Sequence, residues 1–223
     1  MAELFKYVRH LLKYEAGISE DFEYPEKEKQ ILEPLFENYR SFLIFYRVGV
    51  PVPECVKKTH DLIDYAIKKS VSNHKNDPGG LTVCGITKKT WETACREGLF
   101  NVFPQVDFVN MTSRHWLSVV RTYYWDVWKA DDLYSQELAE QVIDFYFHSG
   151  ASATKKIQRL LHVEPDGVIG PKTLKALSHA DQNFPRILCS QIKRERLAYL
   201  LVLSRKEKYS AFAYGWLRRI VDW

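Results

Sequence analysis

The sequence predicts a mainly α-helical protein with a short extended segment near residues 76–87 and a small helical unit at its C-terminal end. Three observations carry that reading. Apolar residues recur at i, i+3 and i+4 along most of the chain, the period of a helix with one buried face. Glycine and proline are few, 10 and 9 in 223 residues. The turn-forming residues that do occur gather in a few places, chiefly 48–53, 76–87 and 163–171, and so punctuate long periodic stretches.

The elements follow in order. Leu4, Phe5, Val8, Leu11 and Leu12 make the buried stripe of a first helix over 3–16. A second stripe runs from Ile31 and Leu32 through Leu35, Phe36, Tyr39, Phe42 and Leu43 to Tyr46, with Pro34 at a kink or in the first turn. Val48–Pro53 breaks it, and Val56, Ile63, Ala66 and Ile67 mark a helix over 54–70, so the two form a hairpin. Leu81–Ile86 reads as extended, and Thr87 as the N-cap of a helix through Trp91 and Ala94. Ser113 is expected to cap an aromatic-rich helix over 114–128. Ser135 is expected to cap 136–148, and Gly150 to stop it. After Gly150 come a short helix at 154–161, a turn-rich loop at 163–170 and Pro171 in the first turn of the next helix. A long basic helix at about 184–208 and a last one at about 210–221 complete the chain. The texture changes near 150, dividing the chain into 1–150 and 151–223.

Apolar residues at 46% and charged residues at 27% fit a globular chain with a real core. The net charge of +4 is too mild to imply nucleic acid. Its distribution is uneven: 20–37 is acidic and 181–223 is basic, which suits an anionic partner or simply a solvated helix face. The four cysteines, Cys55, Cys84, Cys95 and Cys189, lack metal-site spacing and read as free thiols of a reducing compartment. No apolar run reaches the roughly 18 residues of a membrane span. Met1 runs straight into an amphipathic pattern, so no secretory leader is expected. Neither metal nor cofactor is expected, since HExxH, GxGxxG and the P-loop are missing.

Chemistry concentrates in Asn76–Thr87, NDPGGLTVCGIT. Its glycines admit close backbone approach and positive φ, and Asp77 and Thr82 offer oxygen groups to the same turn. A turn that merely caps the next helix would use the same residues. Glu15 stands at the end of the first helix, before Gly17, where a carboxyl can be half-buried beside a cleft. An ordinary exposed helix glutamate is the alternative.

Together these segments resemble the glycoside hydrolase family 108 lysozymes, the N-acetylmuramidases. LLKYEAGIS is similar to that family's LLKxEGGxx opening, and NDPGGLTVCGIT to its DPGGxTxxGIT segment. YYWDVWKADDL at 123–133, VIDFYFHSG at 142–150 and GWLRRI at 215–220 continue the likeness. IQRLLHVEPDGVIGPKTLKAL at 157–177 resembles the family's peptidoglycan-binding unit. The resemblance implies a lysozyme-like helical fold and covers about 170 residues.

One departure is large. The family pattern has a glutamate nine residues before the aspartate and a threonine five after it. Thr82 fits, but Lys68 occupies the glutamate's place. Either the acid is lost, leaving a non-catalytic relative, or Glu15 is the acid and a helical hairpin of about 53 residues, roughly 20–72, interrupts the motif. The flanks of Glu15 favour the insertion, and lengthening a surface loop adds little closure entropy.

The resemblance then implies Glu15 as general acid, Asp77 as the group that orients or deprotonates water or stabilises the oxocarbenium-like state, and Thr82 as that water's hydrogen-bond partner. It also implies inversion at the anomeric carbon. Tyr124 and Trp128 share a helix face and are candidates for stacking on sugar, although core packing is the commoner use of such residues. Asp144 and His148, four apart, are candidates for lining the cleft or for a structural pair. Peptidoglycan glycan strands are the expected partner, and the protein is expected to be a monomer that reaches the cell wall by a holin-type or other export route. A wall-binding protein without catalysis and a helical scaffold of lysozyme ancestry are the competing readings.

Overall fold

The computed structural model describes residues 3–16, 54–73 and 80–221. The expected helix at 31–46, the breaker at 48–53, the acidic stretch at 20–37 and the Asp77 turn lie outside the described residues. The chain forms two compact units, Glu3–Arg121 and Thr122–Trp223. The fold is mainly α-helical with one small sheet, as the periodicity predicts.

In the first unit, α1 (Leu4–Ala16) and α2 (Glu54–Lys69) pack together. The stripe of α1 buries Leu4, Tyr7, Val8, Leu11 and Leu12, and α2 contributes Ile63, Ala66 and Ile67 to the core. The helix expected at 54–70 is therefore part of this unit's interior. Three two-residue strands follow: β1 (Val71–Ser72), β2 (Thr82–Val83) and β3 (Ile86–Thr87). They form an antiparallel sheet in the order β1-β2-β3, with Val71 opposite Val83 and Thr82 opposite Thr87.

The β2–β3 connection is a two-residue hairpin of Cys84 and Gly85, with φ of 45° and 77°. Positive φ at both central residues is the twist that matches right-handed strands, and glycine in the second place supplies it without strain. Thr87 then caps α3 (Lys88–Arg96) through its hydroxyl oxygen, which accepts from the Thr90 N–H at 3.2 Å.

Next comes α4 (Ser113–Val120), which is much shorter than the predicted 114–128. Thr112, one residue earlier than expected, is its N-cap and forms a capping box with His115. Ser113 instead gives its N–H to Asp64 of α2 at 2.6 Å. Beyond Val120 the backbone loosens to a π-turn at Arg121–Trp125 and then tightens into 3₁₀ turns at Asp126–Trp128 and Ala130–Asp132. Lys129, at φ 49°, joins the two 3₁₀ turns. The change of pitch lets Trp125 bury its ring while its indole N–H reaches Asp131 at 2.6 Å, and lets Trp128 bury as well.

The second unit is built from α5 (Gln136–Ser149), α6 (Ala151–Leu160), α7 (Pro171–Asn183), α8 (Pro185–Ser204) and α9 (Ala213–Val221). Ser135 caps α5 and Gly150, at φ 49°, ends it, both as predicted. Pro171 opens α7. The loop between α6 and α7 is organised from inside by Gln158, 1% exposed. Its amide donates to Asp166, to the Val168 carbonyl and to Thr173, and its oxygen accepts from the Gly167 N–H. The long α8 packs against α5, α6, α7 and α9.

Asp144 of α5, 0% exposed, sits at the centre of this unit. Arg219 of α9 grips it with Nε at 3.1 Å and Nη2 at 2.5 Å, and Arg196 of α8 adds Nη2 at 2.5 Å. Burial alone would raise the Asp144 carboxyl. The charges of Arg219, Arg196 and His148, with the Arg219 hydrogen bond, outweigh burial and hold it well below the usual carboxylate range.

Asp144→Ala leaves two arginines without their carboxylate, so urea denaturation should show a loss of about 3–5 kcal/mol. Because the folded carboxyl is depressed, wild-type stabilisation by this cluster is fully present above the unfolded value of about 3.9 and declines as pH falls below it, a slope that Asp144→Asn should flatten. At the hairpin, Gly85→Ala places a Cβ in the left-handed region and should lower stability by about 1–2 kcal/mol in the same measurement.

Candidate active site

Glu15 lies in the last turn of α1 and is half-buried. Its neighbourhood is revealed by Cys84. That thiol, fully buried at the hairpin turn, is pushed up first by burial and then by the Glu15 carboxylate. The α1 terminus and the β2–β3 hairpin are thus within electrostatic reach of one another, although Glu15 and Thr82 are 67 residues apart in sequence.

Thr82 sits on β2, half-buried, two residues before Cys84. Its hydroxyl donates to the Gly80 carbonyl at 3.1 Å. With the proton so committed, the oxygen's lone pairs can accept from a water. Gly80, at φ 65°, makes the bend that brings its carbonyl to Thr82. Asp77, the other half of the motif, lies outside the described residues. Lys68, which stands where the collinear motif would put the acid, is exposed near the end of α2.

Two residues that sequence reasoning passed over hold this hairpin in place. Trp116 of α4, fully buried, donates its indole N–H to the Cys84 carbonyl at 2.8 Å. The Cys84 N–H donates to the Ser70 carbonyl at 2.8 Å. A tryptophan on the buried stripe of α4 signals core in the sequence, but nothing in the sequence says which carbonyl its indole meets.

The four other candidates belong to the second unit. Trp128 is 1% exposed and packs edge-on to Tyr146 at 5.9 Å. Tyr124, half-buried, packs on Tyr146 at 5.8 Å and Phe147 at 4.6 Å. The helix that would give them one face is replaced by a π-turn and a 3₁₀ turn, yet both rings meet Tyr146 of α5. Asp144 and His148 do come together, with His148 Nδ1 at 2.9 Å from the Asp144 main-chain oxygen and 3.8 Å from its carboxylate. The carboxylate itself is occupied by Arg219 and Arg196, which gives it a role in packing α5, α8 and α9. An aspartate inside VIDFYF demands a buried cation, and the paired arginines of GWLRRI were the available signal.

Among the described residues, no helix is long and apolar enough to cross a membrane. Comparison with known proteins adds the following. Residues 69–150 match the family described as Glycosyl hydrolase 108, and residues 152–221 match the one described as Predicted Peptidoglycan domain. Glu15 precedes the matched stretch, whereas Asp77 and Thr82 lie within it. The solved structure of SagA from Brucella abortus is similar at 28% identity and a TM-score of 0.54, over 76% of this chain and 92% of that one. No curated protein is similar enough in sequence to count as a relative. Family, fold and order of segments agree: the chain is a glycoside hydrolase of lysozyme type, a peptidoglycan hydrolase whose glycosyl hydrolase 108 domain is followed by a peptidoglycan-binding domain.

Proposed function

We propose that the protein is an N-acetylmuramidase that cleaves the β-1,4 bond between N-acetylmuramic acid and N-acetylglucosamine with inversion. Glu15 is the general acid that protonates the leaving oxygen, and Asp77 orients or deprotonates the attacking water or stabilises the oxocarbenium-like state. Thr82 fixes that water by accepting its hydrogen. The observation that carries this reading is the electrostatic reach of Glu15 to Cys84, on the hairpin that bears Thr82. It supports pairing Glu15 with the Asp77–Thr82 segment across the long connection.

As general acid, Glu15 must hold its proton near neutral pH. The chain beyond residue 150 holds peptidoglycan, and its basic balance favours a polymer that bears carboxylates. The protein acts on the wall as a monomer, after holin-type or other export.

Glu15→Gln keeps the shape and removes the proton, so turnover of purified sacculi should fall by about 10²–10⁴-fold, the usual worth of a positioned acid. Retained lysis would overturn the assignment. Thr82→Val keeps the shape of the side chain and removes the oxygen. It should lower kcat with little change in KM, because it acts on the water and not on the glycan. Wild-type products should carry a reducing muramic acid end, read by borohydride reduction and mass spectrometry. A 1,6-anhydro end would exclude attack by water.

A further inference from the structure

Thr82 owes its place to a hairpin with little of its own to hold it. β2 pairs with β1 and with β3 over two residues each. Strands that short leave twist and register to the turn that joins them. The turn is of the left-handed kind, with Cys84 at φ 45° and Gly85 at φ 77°. Glycine takes that conformation freely, and cysteine does not. A right-handed turn of the same length would suit Cys84 better, and it would splay the strands. Val83 and Ile86, the pair that flanks the turn, are fully buried and hold the hairpin against the core. Apolar burial is non-directional, so it does not choose the hand of the turn.

A directional contact does choose it. The Cys84 carbonyl belongs to the central peptide of the turn, and it would swing to the opposite side on passage to the right-handed form. The bond from the Cys84 N–H to the Ser70 carbonyl fixes the peptide before the turn, and not this one. Trp116, fully buried, donates its indole N–H to the Cys84 carbonyl at 2.8 Å. The donor is fixed in turn by the start of α4. There the Ser113 N–H reaches the Asp64 carboxylate at 2.6 Å, and Thr112 and His115 form the capping box. A helix anchored at its first turn thus presents one N–H to one carbonyl.

We propose that Trp116 is a positioning residue of the glycan-cleaving reaction: its indole N–H keeps the Cys84–Gly85 turn left-handed and thereby sets the Thr82 oxygen. The proposal rests on the role given to Thr82 above. Trp116 is fully buried, so it acts through Cys84 and β2 and not on the glycan. A small displacement of a group that fixes the attacking water lowers turnover, while binding of the strand is unaffected. A tryptophan that did no more than fill the core would cost stability when altered, with no selective loss of turnover.

Trp116→Phe keeps an aromatic ring in the core and removes the N–H. Trp116→benzothienylalanine keeps the bicyclic shape as well, with sulfur in place of the N–H group, and so covers the case in which the phenylalanine variant does not fold. At a temperature where circular dichroism shows the protein folded, kcat on purified sacculi should fall about tenfold, with KM within about twofold. In the Thr82→Val background neither change should lower kcat further, because all of them act on the same oxygen. The turn is read separately by the buried Cys84 thiol, whose labelling by N-ethylmaleimide, followed by peptide mass spectrometry, should quicken several-fold. Unchanged kcat or unchanged Cys84 labelling in the benzothienylalanine variant, a loss confined to KM, or losses that multiply with that of Thr82→Val would each overturn the proposal. Unchanged kcat in Thr82→Val alone would remove the role of Thr82, while Cys84 labelling still reports the hold of the indole on the turn, so the two failures are distinguishable.

Discussion

The first unit depends on one buried hydrogen bond, from the Trp116 indole to the Cys84 carbonyl. A two-residue turn with positive φ at a cysteine is a conformation that costs about 1–2 kcal/mol at a non-glycine position. Its carbonyl, buried with it, would cost a similar amount again if left without a donor. Trp116 supplies that donor from a helix, and the Ser70 carbonyl satisfies the Cys84 N–H from the other side. The hairpin is thereby fixed at its tip and not only along its short strands. Two-residue strands could not hold a register alone. Thr82 inherits its position from this arrangement.

The same rule governs the ends of helices. The unsatisfied N–H groups at the start of α4 are met partly by Asp64 of α2, and those at the start of α5 by Asp181 of α7. In both cases an aspartate from another helix caps the terminus, with its charge toward the positive end of the dipole. Asp144 follows the rule in a harsher setting. Fully buried, it is tolerable only because Arg219 and Arg196 bring their own charges, and the three side chains then tie α5, α8 and α9 at a single point.

The sequence carried these features unequally. Caps and stops set by local chemistry were legible: Thr87, Ser135, Gly150 and Pro171 do what their residue types do anywhere. The helix over 114–128 was not, because its pattern is helical while its pitch is decided by where Trp125 and Trp128 can bury, and periodicity does not distinguish α from π and 3₁₀ turns. Asp144 and His148 were legible as a pair but not as a packing device, since the arginines that engage Asp144 lie 52 and 75 residues away. Thr82 and Glu15 were legible only as motif. The fold adds one relation that the motif does not state: the Cys84 thiol, two residues after Thr82, feels the charge of Glu15.

Residues 54–69 bear on how far the long connection after Glu15 is independent of the site. A passive loop insertion would leave the unit's core unchanged, whereas α2 buries Ile63, Ala66 and Ile67 in it. Asp64 also caps α4, α4 carries Trp116, Trp116 holds Cys84, and Cys84 stands next to the strand of Thr82. Each link is a hydrogen bond or a strand neighbour, so the end of the long connection is mechanically continuous with the hairpin. A segment that merely lengthened a loop would be free to drift in sequence. This one must keep an aspartate in register with an apolar stripe, with Ile63 and Ile67 placed around Asp64 on consecutive turns. Residues 54–69 are thus part of the scaffold that orients the hairpin.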